Sequence, residues 1–369
     1  MTIWPSVTEL NPSVLLHAPH TATHENRPVP QPSSPHDVLV RIAYVGCCGS
    51  DVHFWTHGGI GAHKVNASNP LVMGHEASGT IAAVGPAVTS LRVGDRVAIE
   101  PGFPCRRCKA CKSGRYNLCR DMRFAADPGG VGGEAVSGTL SKYFRIPDDF
   151  CYRVGDEVGL DEAVFVEPLA VAVHVNRLAD VKAGQSVVVM GSGTIGLLCA
   201  AVAKAFGARK IVLVDLLQRK LDFAKDFVEG VQTFVPDLKS DAENDAKKLI
   251  EECGLEDGAD ALLEATGAEP SIQTGIYVLK LGGTFVQAGL GKNMLTVPMV
   301  TLSEKELNVK GCFRYSSGDF ELALDLLSSG RIPVRKLISS EVPFEEATEA
   351  WERTRRGEGI KNLIHGVRD

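Results

Sequence analysis

The sequence contains no uninterrupted run of about 18 apolar residues, so no helix spanning a bilayer is expected. It also lacks an excess of positive charge: 39 Lys and Arg face 45 Asp and Glu, a formal charge of −6. A mildly acidic chain has no general attraction for nucleic acid or anionic lipid. The densest basic stretch, Arg353 to Arg356, reads as a solvated helix face. The opening MTIWPSVTEL has neither the basic start nor the apolar centre of a secretory signal, so export is not expected and the cytoplasm is the expected compartment. No internal repeat, low-complexity tract or long flexible linker is present. With 369 residues, 44% of them hydrophobic and 23% charged, wholesale disorder is excluded and there is chain enough for two or three domains.

The ten cysteines do not form a disulfide pattern. Four fall between positions 105 and 119, Cys47 and Cys48 are adjacent, and four more are scattered through apolar segments. That distribution fits metal ligands plus buried thiols in a reducing compartment.

Residues 1 to 36, rich in Pro, His, Ser and Thr, read as an edge strand followed by a loop, with His17, His20, His24 and His36 at the surface. DVLVRIAYVG (37–46) alternates apolar and polar residues and ends in Gly, the pattern of a half-buried strand. ASGTIAAVG (77–85) and GDRVAIEPG (94–102) continue a mainly β region to about residue 150. Helical periodicity begins at 160–179, and strand-like runs then alternate with helices: VVVM (187–190), a helix at 194–207, IVLVD (211–215), a helix from 218, DALLEAT (260–266), a helix at 271–281 and TFVQAG (284–289). Such alternation implies an α/β unit with a parallel sheet covered on both faces. Two amphipathic helices at 318–329 and 345–356 and a short strand end the chain.

Gly191-Ser192-Gly193-Thr194-Ile195-Gly196 is a GxGxxG run that follows an apolar strand and opens a helix, and Asp215 ends the next strand. In that context the run is a dinucleotide fingerprint. Gly191 permits the tight turn, Gly193 lets backbone approach a pyrophosphate, and Gly196 allows close helix–sheet packing. The phosphates would meet the positive end of the 194–207 helix. Asp215 accepts hydrogen bonds from a ribose 2′-hydroxyl and repels a 2′-phosphate, so NAD is expected over NADP. Arg219 and Lys220 stand close enough to complicate that preference.

Cys105-x2-Cys108-x2-Cys111-x7-Cys119 supplies four thiolates for one tetrahedral zinc with no open position, a structural site. A zinc-ribbon nucleic-acid module is disfavoured, because a pair of CxxC knuckles is missing and the chain is acidic. Cys48, His75, Glu76 and Glu167 offer a second set of donors, but spacing alone does not unite them.

Residues 47–55 (CCGSDVHFW), 72–79 (VMGHEASG), 165–174 (FVEPLAVAVH) and 311–315 (GCFRY), with the four-cysteine loop and GSGTIG, come in the order found in the zinc-dependent medium-chain dehydrogenases. Over essentially its whole length the chain resembles that family, and within it the sorbitol/xylitol (polyol) dehydrogenases. FAADP (124–128), DLLQRKLDFAKD (215–226) and GCFRYSSGDF look most like the fungal xylitol enzymes. The resemblance implies a GroES-like β-rich catalytic domain at 1–169, a Rossmann NAD-binding domain at 170–311, and a return to the catalytic domain at 312–369.

It further implies a catalytic zinc held by Cys48, His75 and Glu76, with Glu167 as a ligand or as the holder of a zinc-bound water. Two zinc ions per subunit are therefore expected. Ser50 matches the position that hydrogen-bonds the substrate oxygen, and His53 the position that passes the proton to solvent. Phe54, Glu167, Arg314 and Tyr315 match positions around the substrate. Phe54 stands where many animal sorbitol enzymes have Tyr, which leaves the preferred polyol open. Lys220, Ala288, Gly289, Leu290, Phe313 and Arg314 match positions beside the cofactor. Cys47 has no ligand counterpart and reads as a small core residue.

The implied reaction is reversible oxidation of a polyol to a ketose with NAD⁺, foremost xylitol to D-xylulose, with sorbitol or L-arabinitol as alternatives. A non-enzymatic cofactor-binding protein on the same fold is the alternative of a different class. The expected partners are the small polyol or ketose and, by family resemblance, other copies of the chain in a homotetramer, with no nucleic acid or membrane.

Overall fold

The structure is a computed structural model that describes Trp4 and residues 9–61, 63–129 and 135–368. The chain divides into two compact units, one made of Met1–Glu167, Ser316–Gly330 and Val334–Asp369, the other of Pro168–Tyr315 and Arg331–Pro333. No described helix is long and apolar enough to cross a membrane.

The first unit is built on a seven-stranded sheet around Asp37–Gly46. That strand pairs antiparallel with Glu76–Val84, with Tyr143–Pro147 and with the C-terminal strand Lys361–His365. Its last residue, Gly46, faces Glu76 on one side and Leu363 on the other. Three distant segments therefore converge at one strand end. Gly46 is needed there: a Cβ would collide with the Glu76 carboxylate and lie 2.8 Å from Val164. The core includes Val40, Ile42, Val45, Met73, Ile81, Ile99 and Trp351, all almost wholly buried. Cys47 belongs to that core, as a small apolar residue would.

The N-terminal segment departs from expectation. Instead of one strand and a loop, Leu10–Ala18 and Thr21–Pro28 form an antiparallel hairpin, and Leu10–Ala18 also pairs with Leu71–Val72. The second hairpin strand, TATHENRP, is almost entirely exposed, so it carries no hydrophobic alternation to reveal it. The helical stretch at 160–179 is also two helices, Leu160–Ala163 and Val166–Ala179.

The second unit holds a six-stranded parallel sheet, ordered Gln232–Phe234, Lys210–Val214, Ser186–Met190, Ala259–Glu264, Leu279–Gln287 and Asn308–Gly311. In chain order this is 3-2-1-4-5-6, the doubly wound dinucleotide-binding arrangement, whose strand order reverses beside Ser186–Met190. The first strand is wholly buried. The helices Thr194–Ala205 and Gln218–Phe227 follow their strands as the periodicity requires, while strand Gln232–Phe234 and helix Ala242–Glu252 are additional elements that the sequence reading did not single out. Glu269–Val278 begins and ends earlier than the 271–281 expected, because Pro270 fits its first turn and strand Leu279–Gln287 takes the following residues.

Candidate functional site

Cys48 ends the Asp37–Gly46 strand connection and caps helix Gly49–His57. Its backbone N–H donates to Asp51 Oδ2 at 2.9 Å, which anchors the helix start. His75 and Glu76 stand where Glu76–Val84 begins. The sheet register brings the donor atoms of Cys48, His75 and Glu76 within 4.8 Å of one another although the residues lie far apart in sequence. His75 and Glu76 are buried.

Each ligand candidate is held from behind. Asp51 Oδ1 lies 3.5 Å from His75 Nδ1, so the carboxylate orients the ring and leaves Nε2 facing the cluster. Ser50 Oγ is 3.4 Å from that Nε2. Burial works to lower the His75 pKa, but Asp51 and Cys48 outweigh it and push it well above the ordinary value. Glu76 Oε2 pairs with Lys361 Nζ at 2.6 Å, and the same ammonium donates to the Cys47 carbonyl at 3.1 Å. Burial works to lower the Lys361 pKa, but the charges of Glu76, Cys48 and Cys47 and the hydrogen bond to Glu76 together outweigh it and raise it. A thiol, an imidazole and a carboxylate at this spacing suit zinc and leave a fourth position open, as a catalytic site requires. Glu167 is buried in the first turn of Val166–Ala179 and lies outside that close trio.

His53 is exposed on the same helix as Ser50, three residues on, and its ring centroid is 5.8 Å from that of His57. Phe54 is buried in the core with Trp55. Asp51 and Lys361 were not singled out from sequence. The Cys-x-x-Asp capping pattern could have flagged the first, whereas no local pattern in the terminal strand KNLIH marks the second.

The four-cysteine loop converges as its spacing requires, with all four sulfurs within 4.8 Å of one another. Cys108 and Cys111 Sγ are 3.4 Å apart and Cys105 and Cys111 Sγ 4.0 Å, close to the roughly 3.8 Å edge of a tetrahedral zinc–thiolate centre. Backbone and side-chain hydrogen bonds from Cys111 lower the Cys108 thiol to about 7. The loop is tied to the sheet through a buried carboxylate. Tyr116, between the third and fourth cysteines, donates its hydroxyl to Glu100 Oε1, and Tyr152 donates to Oε2 at 2.7 Å.

In the second unit, Gly191 adopts φ 96° and Gly193 caps helix Thr194–Ala205. A Cβ on Gly196 would collide with the Gly191 carbonyl, whereas one on Gly193 would meet nothing within 4 Å. One glycine thus closes the turn and another leaves backbone open for a ligand. Asp215 Oδ2 accepts from Ser192 N at 2.8 Å and Oδ1 from Leu217 N at 3.0 Å, which pins its carboxylate beside the turn. Thr194, Ile195 and Lys220 are half-buried. Ala288 and Gly289 follow strand Leu279–Gln287, and Leu290 is exposed. Arg314 adopts φ 57°, and its guanidinium stacks 4.7 Å over the half-exposed Phe313 ring, while Tyr315 is buried. A non-glycine residue in the left-handed region is costly, and such strain concentrates at functional positions.

Residues 34–156 match the alcohol dehydrogenase GroES-like domain, and residues 194–329 match the zinc-binding dehydrogenase family. The chain belongs to the zinc-dependent medium-chain dehydrogenases. It is 51% identical over 364 residues to the probable D-xylulose reductase A of Aspergillus clavatus, covering 99% of both chains. It is equally identical over 357 residues to the D-xylulose reductase A of Aspergillus niger, covering 97% of each. Among solved structures, the Escherichia coli L-idonate 5-dehydrogenase aligns with a TM-score of 0.85 at 29% identity, covering 97% of this chain and 98% of that one. The 2R,3R-butanediol dehydrogenase of Bacillus subtilis aligns at 0.83 and 27%, covering 97% and 100%.

Proposed function

We propose that this medium-chain dehydrogenase is an NAD-dependent polyol dehydrogenase that interconverts xylitol and D-xylulose. The observation that carries the reading is the convergence of Cys48, His75 and Glu76 in a chain half identical, end to end, to fungal D-xylulose reductases.

Cys48, His75 and Glu76 would hold the catalytic metal, with Glu167 as a further ligand or as the holder of a water beside it. A zinc ion there supplies Lewis acidity that makes the substrate hydroxyl easier to deprotonate. Ser50 would relay the hydroxyl proton, taking it on Oγ as it gives up its own, and His53, exposed on the same helix, would release the relayed proton to solvent. Asp51 and Lys361 keep His75 and Glu76 in place while charge on the substrate oxygen changes. Phe54, Glu167, Arg314 and Tyr315 select the polyol, with Arg314 and Tyr315 reading its distal hydroxyls.

Gly191, Gly193, Thr194, Ile195 and Gly196 bind the cofactor pyrophosphate. Asp215 accepts the adenosine ribose hydroxyls, with Lys220 beside it. Ala288, Gly289 and Leu290 line the nicotinamide, and Phe313 and Arg314 flank the cofactor. NAD⁺ supplies the hydride acceptor. Cys105, Cys108, Cys111 and Cys119 bind a second zinc that stabilises their loop. The assembly is a homotetramer, a reading supported by the exposed edge strand Asn308–Gly311.

The test is NADH formation from xylitol, sorbitol and L-arabinitol, each with NAD⁺ or NADP⁺, before and after chelation. Turnover of xylitol with NAD⁺ that chelation abolishes and zinc restores is the expected result. Faster turnover of another polyol would move the substrate assignment. No turnover by a preparation holding two zinc ions per chain would favour a non-catalytic role.

A further inference from the structure

Glu264 ends strand Ala259–Glu264, is wholly buried, and has no part in the mechanism above. Five donors converge on its carboxylate. Oε1 accepts from Thr266 N at 2.9 Å, from the Thr266 hydroxyl and from Ser271 Oγ at 3.2 Å. Oε2 accepts from Gly267 N at 2.8 Å and Gln287 Nε2 at 2.7 Å. Its backbone carbonyl takes Ala288 N at 2.9 Å and Gly289 N at 2.8 Å. Among the described residues, no Lys, Arg or His bonds to it.

Two loops are locked together around this group. A Cβ on Gly289 would lie 2.6 Å from Thr266 N and 2.7 Å from Glu264 Oε2, and one on Gly267 would lie 2.5 Å from the Leu290 carbonyl carbon. Gly267 has φ 70°, a conformation glycine tolerates best. Residues 266–267 and 289–291 therefore touch backbone to backbone, with the carboxylate at their junction. Neutral donors can offset the cost of burying an ion, but they leave its net charge uncancelled. An apolar or amide side chain would also have filled the space.

We propose that Glu264 is a positioning residue that fixes the 288–290 segment and, through its uncompensated charge, favours the oxidised cofactor over the reduced one. This rests on the reading that Ala288, Gly289 and Leu290 line the nicotinamide. The nicotinamide ring is cationic in NAD⁺ and neutral in NADH, so a buried anion beside its binding segment interacts differently with the two. Only such differential interaction can bias the equilibrium between the two bound forms.

The experiment measures both affinities on the zinc-loaded enzyme: NADH by its fluorescence on binding, NAD⁺ by competition. Glu264→Gln keeps the shape and removes the charge, so the ratio Kd(NAD⁺)/Kd(NADH) is expected to rise by about tenfold, the order expected of one poorly screened charge. Gln287→Lys leaves Glu264 intact and places a cation against Oε2, so it should shift the ratio in the same direction. It decides the matter alone if Glu264→Gln fails to fold. A purely structural role would weaken both affinities in parallel. An unchanged ratio in a folded variant therefore overturns the proposal, whether or not both affinities fall. A wild-type enzyme that binds neither form overturns the dehydrogenase reading, and this inference with it.

Discussion

The Asp215 carboxylate serves the fold before it meets any ligand, because Ser192 N and Leu217 N both donate to it. That fixes a negative charge beside the Gly191–Gly196 turn, where an adenosine ribose is expected and a 2′-phosphate would be repelled. Asp215→Ser should lower kcat/KM for NAD⁺ by about tenfold to hundredfold, the value of hydrogen bonds to a charged acceptor, and narrow the preference over NADP⁺ by at least as much. Initial rates with both cofactors measure it, and an unchanged preference would refute the ribose assignment. At this scale the sequence was legible where chemistry is concentrated in a motif, as in GxGxxG or the four-cysteine loop. It was not legible where a group acts through another. Lys361 meets Glu76 across 285 residues, and Glu264 gathers its donors from three segments. No local pattern announces either contact.

The four-cysteine loop depends on more than its thiols, because Tyr116 ties it to Glu100 while Tyr152 holds the other carboxylate oxygen. Burial raises the Glu100 pKa from 4.5 to about 7; the two tyrosine hydroxyls pull it down, and Glu321 and Asp149 add to the rise. The folded state thus holds this proton more tightly than the unfolded chain. Its contribution is fully present below about 4.5 and is lost as the pH rises through about 7. The span corresponds to about 3 kcal/mol. Glu100→Gln cannot ionise, so its melting temperature should fall less than that of the wild type between pH 5.5 and 8, as differential scanning fluorimetry at matched zinc loading would measure. Parallel curves would remove Glu100 from the pH response. Elements with strong periodicity, such as Thr194–Ala205 and Asp319–Ser328, were readable in advance. Thr21–Pro28 was not, because nearly every side chain in that strand faces solvent.

At the scale of the molecule, alternating strands and helices announced the parallel sheet, but local pattern could not say which sheet the last strand would join. Lys361–His365 pairs with Asp37–Gly46, so the chain's end completes the unit that its beginning starts, a return foreseen only through family resemblance. Among the described residues, the second unit leaves a different edge open. Asn308–Gly311 pairs on one side with Leu279–Gln287, and all four of its residues are exposed. Leu281, Met299, Val300 and Val309 in the same unit are 74%, 58%, 70% and 51% exposed. An open strand edge is a template for pairing with another strand, and proteins that remain monomeric usually guard such edges with charge or proline. Lys310 is the one charge on this strand, and its ammonium is turned back to the Leu178 carbonyl at 2.7 Å. The proposed homotetramer would seat a second copy of the chain on this edge. Val309→Lys puts a charge on an already exposed position, so it should leave the fold intact while breaking the assembly into smaller species. Light scattering coupled to size exclusion reads this directly. A monomeric wild type, or a variant of unchanged mass, would show that this edge does not join the subunits.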